Sequence, residues 1–118
     1  MKSIEGAAKK LSAYIGENDH YEGKPLYTAL VEASKKAGCA GATVLRGVEG
    51  FGATSVIHTD QWLRMSSDLP VVVVVIDIKS RITALAEVFR AMVGDGLVTI
   101  EDVQVVQYRG GVTGGPKH

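Results

Sequence analysis

Cysteine is almost missing from this chain. Of 118 residues only Cys39 is a cysteine, so no internal disulfide can form and nothing argues for an oxidising compartment. Net charge is missing as well: thirteen basic and thirteen acidic side chains leave a formal +0. Without an overall basic field, the chain lacks the attraction to nucleic acid or anionic lipid that such a field supplies. The longest aliphatic run, Val71 to Ile76, falls far short of the roughly 20 residues a membrane helix needs. The opening stretch MKSIEGAAKKLS has no apolar core segment, which predicts no signal peptide. These absences together predict a cytoplasmic protein that is neither membrane-embedded nor a nucleic-acid binder.

What is present is globular. A composition 46% hydrophobic and 22% charged suits a packed fold, and 118 residues suit one domain. A core of that size removes about two-thirds of the unfolded chain's surface from water. The expectation is a single domain over 1–118, with a core of about 10–109 and a flexible tail at 110–118.

The elements follow from periodicity. Leu11, Ala13 and Ile15 alternate with Lys10, Ser12 and Tyr14, which predicts a half-buried strand. A polar connection runs from Gly16 to Gly23, and Pro25 supplies the φ wanted at a first helical position. Leu26, Ala29, Leu30, Ala33 and Ala37 then fall on one helix face, and Gly38 stops the helix. Ala42 to Val48 is a second strand. Glu49 to Leu69 is long and mostly polar, with a weak strand signal at Trp62 to Met65, and such a connection is a candidate working part. Val71 to Ile76 is a third strand. Asp77 or Ser80 is placed to cap a second helix with a stripe of Ile82, Leu85, Ala86, Phe89 and Val93, ended by Gly94-Asp95-Gly96. Leu97 to Tyr108 is a fourth strand with a bend expected near Glu101 and Asp102.

The order β-α-β-loop-β-α-β predicts an α+β fold, a ferredoxin-like βαββαβ sandwich with a four-stranded antiparallel sheet and both helices on one face. That arrangement leaves the second sheet face bare. Yet Val71 to Ile76 is apolar at every position, where a strand with one wet face alternates. Burial of the second face against further copies of the chain resolves the conflict, so the pattern predicts a homo-oligomer; the alternative is that a loop or the tail covers that face.

Catalytic signatures are lacking. There is no Cys-x-x-Cys, no phosphate-binding P-loop and no Gly-x-Ser-x-Gly elbow. The glycines at 47, 50 and 52 miss the dinucleotide spacing and lead into a loop instead of a helix. Val71 to Ile76 carries no ring for base stacking, which argues against an RNA-recognition sheet. Glu17, Asp19, His20 and Glu22 offer carboxylates and an imidazole, so an alternative is a small ferredoxin-like enzyme or metal-binding protein using Asp19, His20 and Tyr14. The competing reading is a solvated loop in which Asn18 and Asp19 make turn contacts. Two small-residue turns remain, Gly50-Phe51-Gly52 and Gly94-Asp95-Gly96, whose backbone N–H groups suit an anion. Arg46 and Arg109 add charge if the turns meet in space.

With Tyr14-Ile15-Gly16-Glu17-Asn18-Asp19-His20-Tyr21-Glu22-Gly23-Lys24-Pro25-Leu26-Tyr27, Gly41-Ala42-Thr43-Val44-Leu45-Arg46-Gly47, Gly50-Phe51-Gly52, His58-Thr59, Asp68-Leu69-Pro70-Val71 and Gly94-Asp95-Gly96-Leu97-Val98, the chain resembles the PII signalling superfamily. Most closely it resembles that superfamily's PII-like family of unknown function, from about Leu11 to Arg109. The resemblance implies a homotrimer with adenine nucleotide in the cleft between subunits. It also implies a mobile loop, Glu49 to about Asp60, that docks onto a membrane transporter or an enzyme. By position Gly50, Phe51 and Gly52 match the base of that loop, Gly94, Asp95 and Gly96 match the turn approaching the phosphates, and Arg109 matches one of two arginines on the last strand. The departures concern charge. Ala53-Thr54-Ser55 stand where basic and amide side chains are expected, Leu97 replaces a lysine, Gln107 an arginine, and Ala40 the adenine-reading threonine. A charge-assisted hydrogen bond is worth about 1.5–3 kcal/mol, and Leu97 and Gln107 each stand where a cation would make one, whereas Ala40 forgoes a neutral hydroxyl. The expected ligand is therefore a small anion with few phosphates, AMP or ADP, with Arg46 as a substitute cation.

Overall fold

In the computed structural model, which describes residues 4–52 and 68–110, the chain runs through eight elements. These are β1 (Gly6–Gly16), β2 (His20–Tyr21), β3 (Lys24–Pro25), α1 (Leu26–Lys36), β4 (Thr43–Arg46), β5 (Pro70–Asp77), α2 (Lys79–Met92) and β6 (Leu97–Val105). The strands β4-β5-β1-β6 form one four-stranded sheet in that order, every neighbouring pair antiparallel. This is the ferredoxin-like order. The weak strand signal at Trp62 to Met65, His58, residues 53–60 of the expected loop and the tail beyond Gly110 lie outside the described residues.

The register assigns each face. Ala13 pairs with Val73 and Val98, and Tyr14 with Val72 and Leu97. One face therefore carries Leu11, Ala13, Ile15, Val71, Val73 and Val75, which pack with Leu26 and Leu30 of α1 and Ile82, Leu85 and Phe89 of α2. The β-branched valines fit this pleated surface and bring no polar atom into it. The other face carries Ser12, Tyr14, Leu45, Val72, Val74, Ile76 and Leu97, and neither helix covers it.

The boundaries move where partners decide them. β1 extends back to Gly6 because β6 pairs with it as far as Gly6 opposite Val105. The second strand narrows to Thr43–Arg46, an exposed edge. β6 ends at Val105 instead of Tyr108. Its ladder runs unbroken through the expected bend, since Glu101 and Asp102 pair with Lys10 and Lys9. The connection at 16–23 is no plain loop: β2 and β3 form a small hairpin closed by Glu22 (φ 49°) and Gly23 (φ 85°), the left-handed pair of a tight hairpin turn. Pro25 is the residue before α1, with extended ψ, and not its first helical position. At the other end Gly38 takes φ 83° and closes a Schellman motif, with Cys39 N donating to Ser34 O and Gly38 N to Lys35 O. The buried stripe of α1 includes Ser34, whose hydroxyl donates to Leu30 O, while Ala37 lies exposed in the C-terminal turn.

Candidate functional site

The two glycine turns lie at one end of the sheet, on opposite edges. The 50–52 turn follows β4, and the 94–96 turn precedes β6, with Gly96 against the Tyr14 carbonyl. Because β4 and β6 are the outer strands, three strand spacings separate them, roughly 14 Å. Arg109 lies beyond the far end of β6, roughly 25–30 Å along the strand from Gly96. A single chain therefore does not bring these candidate groups together.

Arg46 is engaged elsewhere. It pairs with Val71, whose side chain faces the helices, and its guanidinium meets the Glu17 carboxylate at 2.5 Å. Around this ion pair the end of the sheet is tightly knit. Glu17 N donates to Leu69 O, Asn18 N to the Asp68 carboxylate (2.6 Å) and Gly16 N to the Asp19 carboxylate (2.9 Å). A Cβ on Gly16 would sit 2.1 Å from Asp68 Oδ2, so the residue is glycine for want of space. On the entry side Gly47 N donates to Pro70 O. Asp19 and His20 are thus occupied by turn contacts, with His20 Nδ1 donating to Asn18 O, while Tyr14 stands on the open sheet face. Among the described residues no group of three or more His, Cys, Asp or Glu side chains is arranged to hold a metal ion.

The opposite end of the open face carries a groove of about 360 Å³. Val74 and Ile76 form its floor, Ile4 and Val105 its apolar sides, and Gln107 and Tyr108 its rim where the chain leaves β6. The wall toward β4 is residues 40–43, ending at Thr43. Tyr108 N donates to the Glu5 carboxylate, which ties this rim to the segment entering β1. The volume lies within the range of small-ligand pockets, about 300–1,000 Å³, and the lining joins apolar surface to a few polar groups. None of the candidate site residues from sequence lines this groove; Arg109 comes nearest in the chain, following the lining residue Tyr108.

A carboxylate organises the groove wall from behind. Asp77 is fully buried at the end of β5, where Oδ1 accepts from Ile78 N (2.8 Å) and Arg81 Nη1 (2.6 Å) and Oδ2 accepts from Ala40 N (2.8 Å). Asp77 reaches the N–H that follows it in the chain, although Ile78 occupies the N-cap position of α2. Burial and the Asp77 charge push the neighbouring Cys39 thiol up, against a smaller opposing effect of Arg81.

The family model described as "DUF190: Uncharacterized ACR, COG1993" matches residues 8–105, nearly the whole sheet and both helices. The chain belongs to the DUF190 family. A UPF0166 protein of Aquifex aeolicus is 39% identical to the DUF190 chain over 98 residues, covering 83% of it and 92% of that relative. The UPF0166 protein MJ1524 of Methanocaldococcus jannaschii is 35% identical over 104 residues, covering 87% and 94%. Among solved structures, CPII of Thiomonas intermedia K12 bound to ADP and bicarbonate shares the fold. Its TM-score is 0.55 at 23% identity, covering 89% of this chain and 95% of that one. A second CPII structure, a nitrogen regulatory PII-like protein bound to ADP, AMP and bicarbonate, gives 0.57 at 18% over 89% and 94%. The DUF190 chain therefore has the fold of CPII.

Sequence reasoning missed most of the groove. Thr43, Val74 and Ile76 read as ordinary strand residues, and only the register shows that they share a face. Their even spacing within the valine run was the available signal.

Proposed function

We propose that this DUF190 protein is a PII-like regulatory subunit that works as a homotrimer and binds an adenine nucleotide, AMP or ADP, in the clefts between subunits. The open sheet face carries the reading. Tyr14, Leu45 and Leu97 are 45–57% exposed there beside Val72, Val74 and Ile76, an apolar surface that a second copy buries. Division of the candidate groups between two edges and two ends of the sheet supports the same arrangement, since a neighbouring subunit is needed to complete any site that uses them. The groove fits a flat apolar base, and Arg109, which follows the lining residue Tyr108, supplies charge for a phosphate. CPII, which shares this fold, is bound to ADP and AMP in its solved structures, which supports a nucleotide of few phosphates.

Ligand binding then acts on a partner protein, a membrane transporter or an enzyme, through the Glu49 to Asp60 loop. β4 joins the groove to the loop, since its first residue, Thr43, borders the groove and its last, Arg46, leads into the segment that opens the loop. Native mass spectrometry with calorimetric titration tests the proposal. A mass three times the 12.5 kDa subunit and AMP or ADP binding at least as tight as ATP are expected. A lone 12.5 kDa particle at working concentration, or ATP bound far more tightly than AMP, overturns it.

A further inference from the structure

The groove has one wall that the sheet does not build. Residues 40–42 belong to the connection between α1 and β4, and Gly38 has already turned the chain out of helical geometry before them. Besides the packing of Cys39 and Ala42 against the core, such a connection is held by its own hydrogen bonds. The Ala40 N–H finds its acceptor 37 residues away, in the Asp77 carboxylate.

Asp77 does more than a helix start requires. Its Oδ1, bonded to Ile78 N and Arg81, already serves the first turn of α2. Oδ2 accepts from Ala40 instead. A carboxylate with no exposed surface is costly unless its oxygens are bonded and its charge is paired, and Arg81 supplies the charge. The result is a rigid link from β5 to the groove wall, with Val74 and Ile76 of the same strand forming the floor.

We propose that Asp77 is a positioning residue for the groove, holding residues 40–42 through the Ala40 N–H at the spacing a planar base requires. This rests on the nucleotide reading of the groove. Arg81 supports it by pairing with the carboxylate and orienting it.

Cys39, next to Ala40 and partly buried, reports on the wall without any ligand. The full chain is compared with Asp77→Asn and Arg81→Gln, using native-state labelling of Cys39 by dithiobis(nitrobenzoate) and AMP titration, at a temperature where each variant is folded by circular dichroism. Asparagine keeps one side-chain acceptor oxygen, so the Ala40 bond and the α2 bonds no longer both form. Labelling about tenfold faster and AMP binding about tenfold weaker are expected for Asp77→Asn, the fold-change a charge-assisted bond of ordinary strength conveys. Arg81→Gln keeps both backbone donors but leaves the buried carboxylate without its charge partner, so both readouts are expected to move in the same direction as for Asp77→Asn and by less than its tenfold. If Asp77→Asn does not fold, Ala40→Pro deletes the donor and leaves the carboxylate in place, with the same two changes expected. A folded Asp77→Asn chain that labels at the wild-type rate and binds AMP as the wild type does overturns the proposal, as does labelling that rises only in step with global unfolding. Faster labelling in Asp77→Asn, beside a wild-type protein that binds no AMP, supports the positioning role and removes the nucleotide reading.

Discussion

Val71, Val73 and Val75 on one side of β5, and Val72, Val74 and Ile76 on the other, are nearly the same chemistry with different fates. The first set is sealed under α1 and α2, and the second is only half-covered. Hydrophobicity does not separate them, and neither does strand propensity. The difference is what lies above each face, because both crossover helices pack on the same side of the sheet. An apolar strand of this kind needs burial on two faces, and the described residues of one chain cover only one.

The largest test of that difference is a charge placed on either side. Val73→Asp puts a carboxylate among Leu11, Leu30 and Phe89 with no partner, a cost above about 4 kcal/mol, comparable to the whole stability of a small domain. Urea denaturation is expected to find it unfolded. Val74→Asp, one residue away, costs a single chain about 1 kcal/mol or less. It is expected to leave the circular dichroism spectrum unchanged while shifting the native mass from that of the proposed trimer to the 12.5 kDa subunit. Equal unfolding by both variants would erase the distinction between the faces.

A smaller effect concerns the knit end of the sheet, where a backbone fits against a side chain. Gly16→Ala drives Asp68 away and breaks its bond to Asn18 N, for about 1–3 kcal/mol in thermal or urea unfolding. In an Asp68→Ala background the same substitution is expected to cost much less, because the space is already free. Additive losses would show that Gly16 is needed for some reason other than room.

The smallest effect is electrostatic. Lys9 on β1 reaches Asp102 on β6, and the hydrogen bond first, then the ammonium charge, hold the Asp102 carboxyl below its usual range. A folded pKa below the unfolded one means that the pair stabilises above the ordinary carboxylate range and that this contribution is lost as pH falls through the lowered value. Asp102→Asn is therefore expected to lower Tm slightly near neutrality and to converge with the wild type in acid. The pair is exposed, so about 1 M salt should also remove the difference.

The topology is legible along the chain, because alternation at Leu11 to Ile15, the valine run and two helical stripes are strong periodic signals. The β2–β3 hairpin is not. Its strands are two residues each, too short for a period, and its one signal is the Glu22-Gly23 pair that a left-handed turn takes. Ala37 fits an apolar stripe better than Ser34 does, because a buried hydroxyl looks wrong until its bond to Leu30 O is seen. Among candidate site residues, Arg46 is legible as a cation near a glycine turn. That Glu17 holds it is a fact about two segments 29 residues apart, which no local pattern contains.

From its residues alone this protein was bound to be a four-stranded α+β sandwich with more apolar surface than its own helices cover, since period-2 and period-3.6 patterning are properties of neighbours along the chain. Only the folded arrangement decided which ends of the strands meet, that Asp77 reaches across to Ala40, and that a groove opens beside Tyr108. Those outcomes depend on register and on hydrogen bonds between distant segments, where a shift of one residue would exchange the two faces and leave the linear pattern untouched.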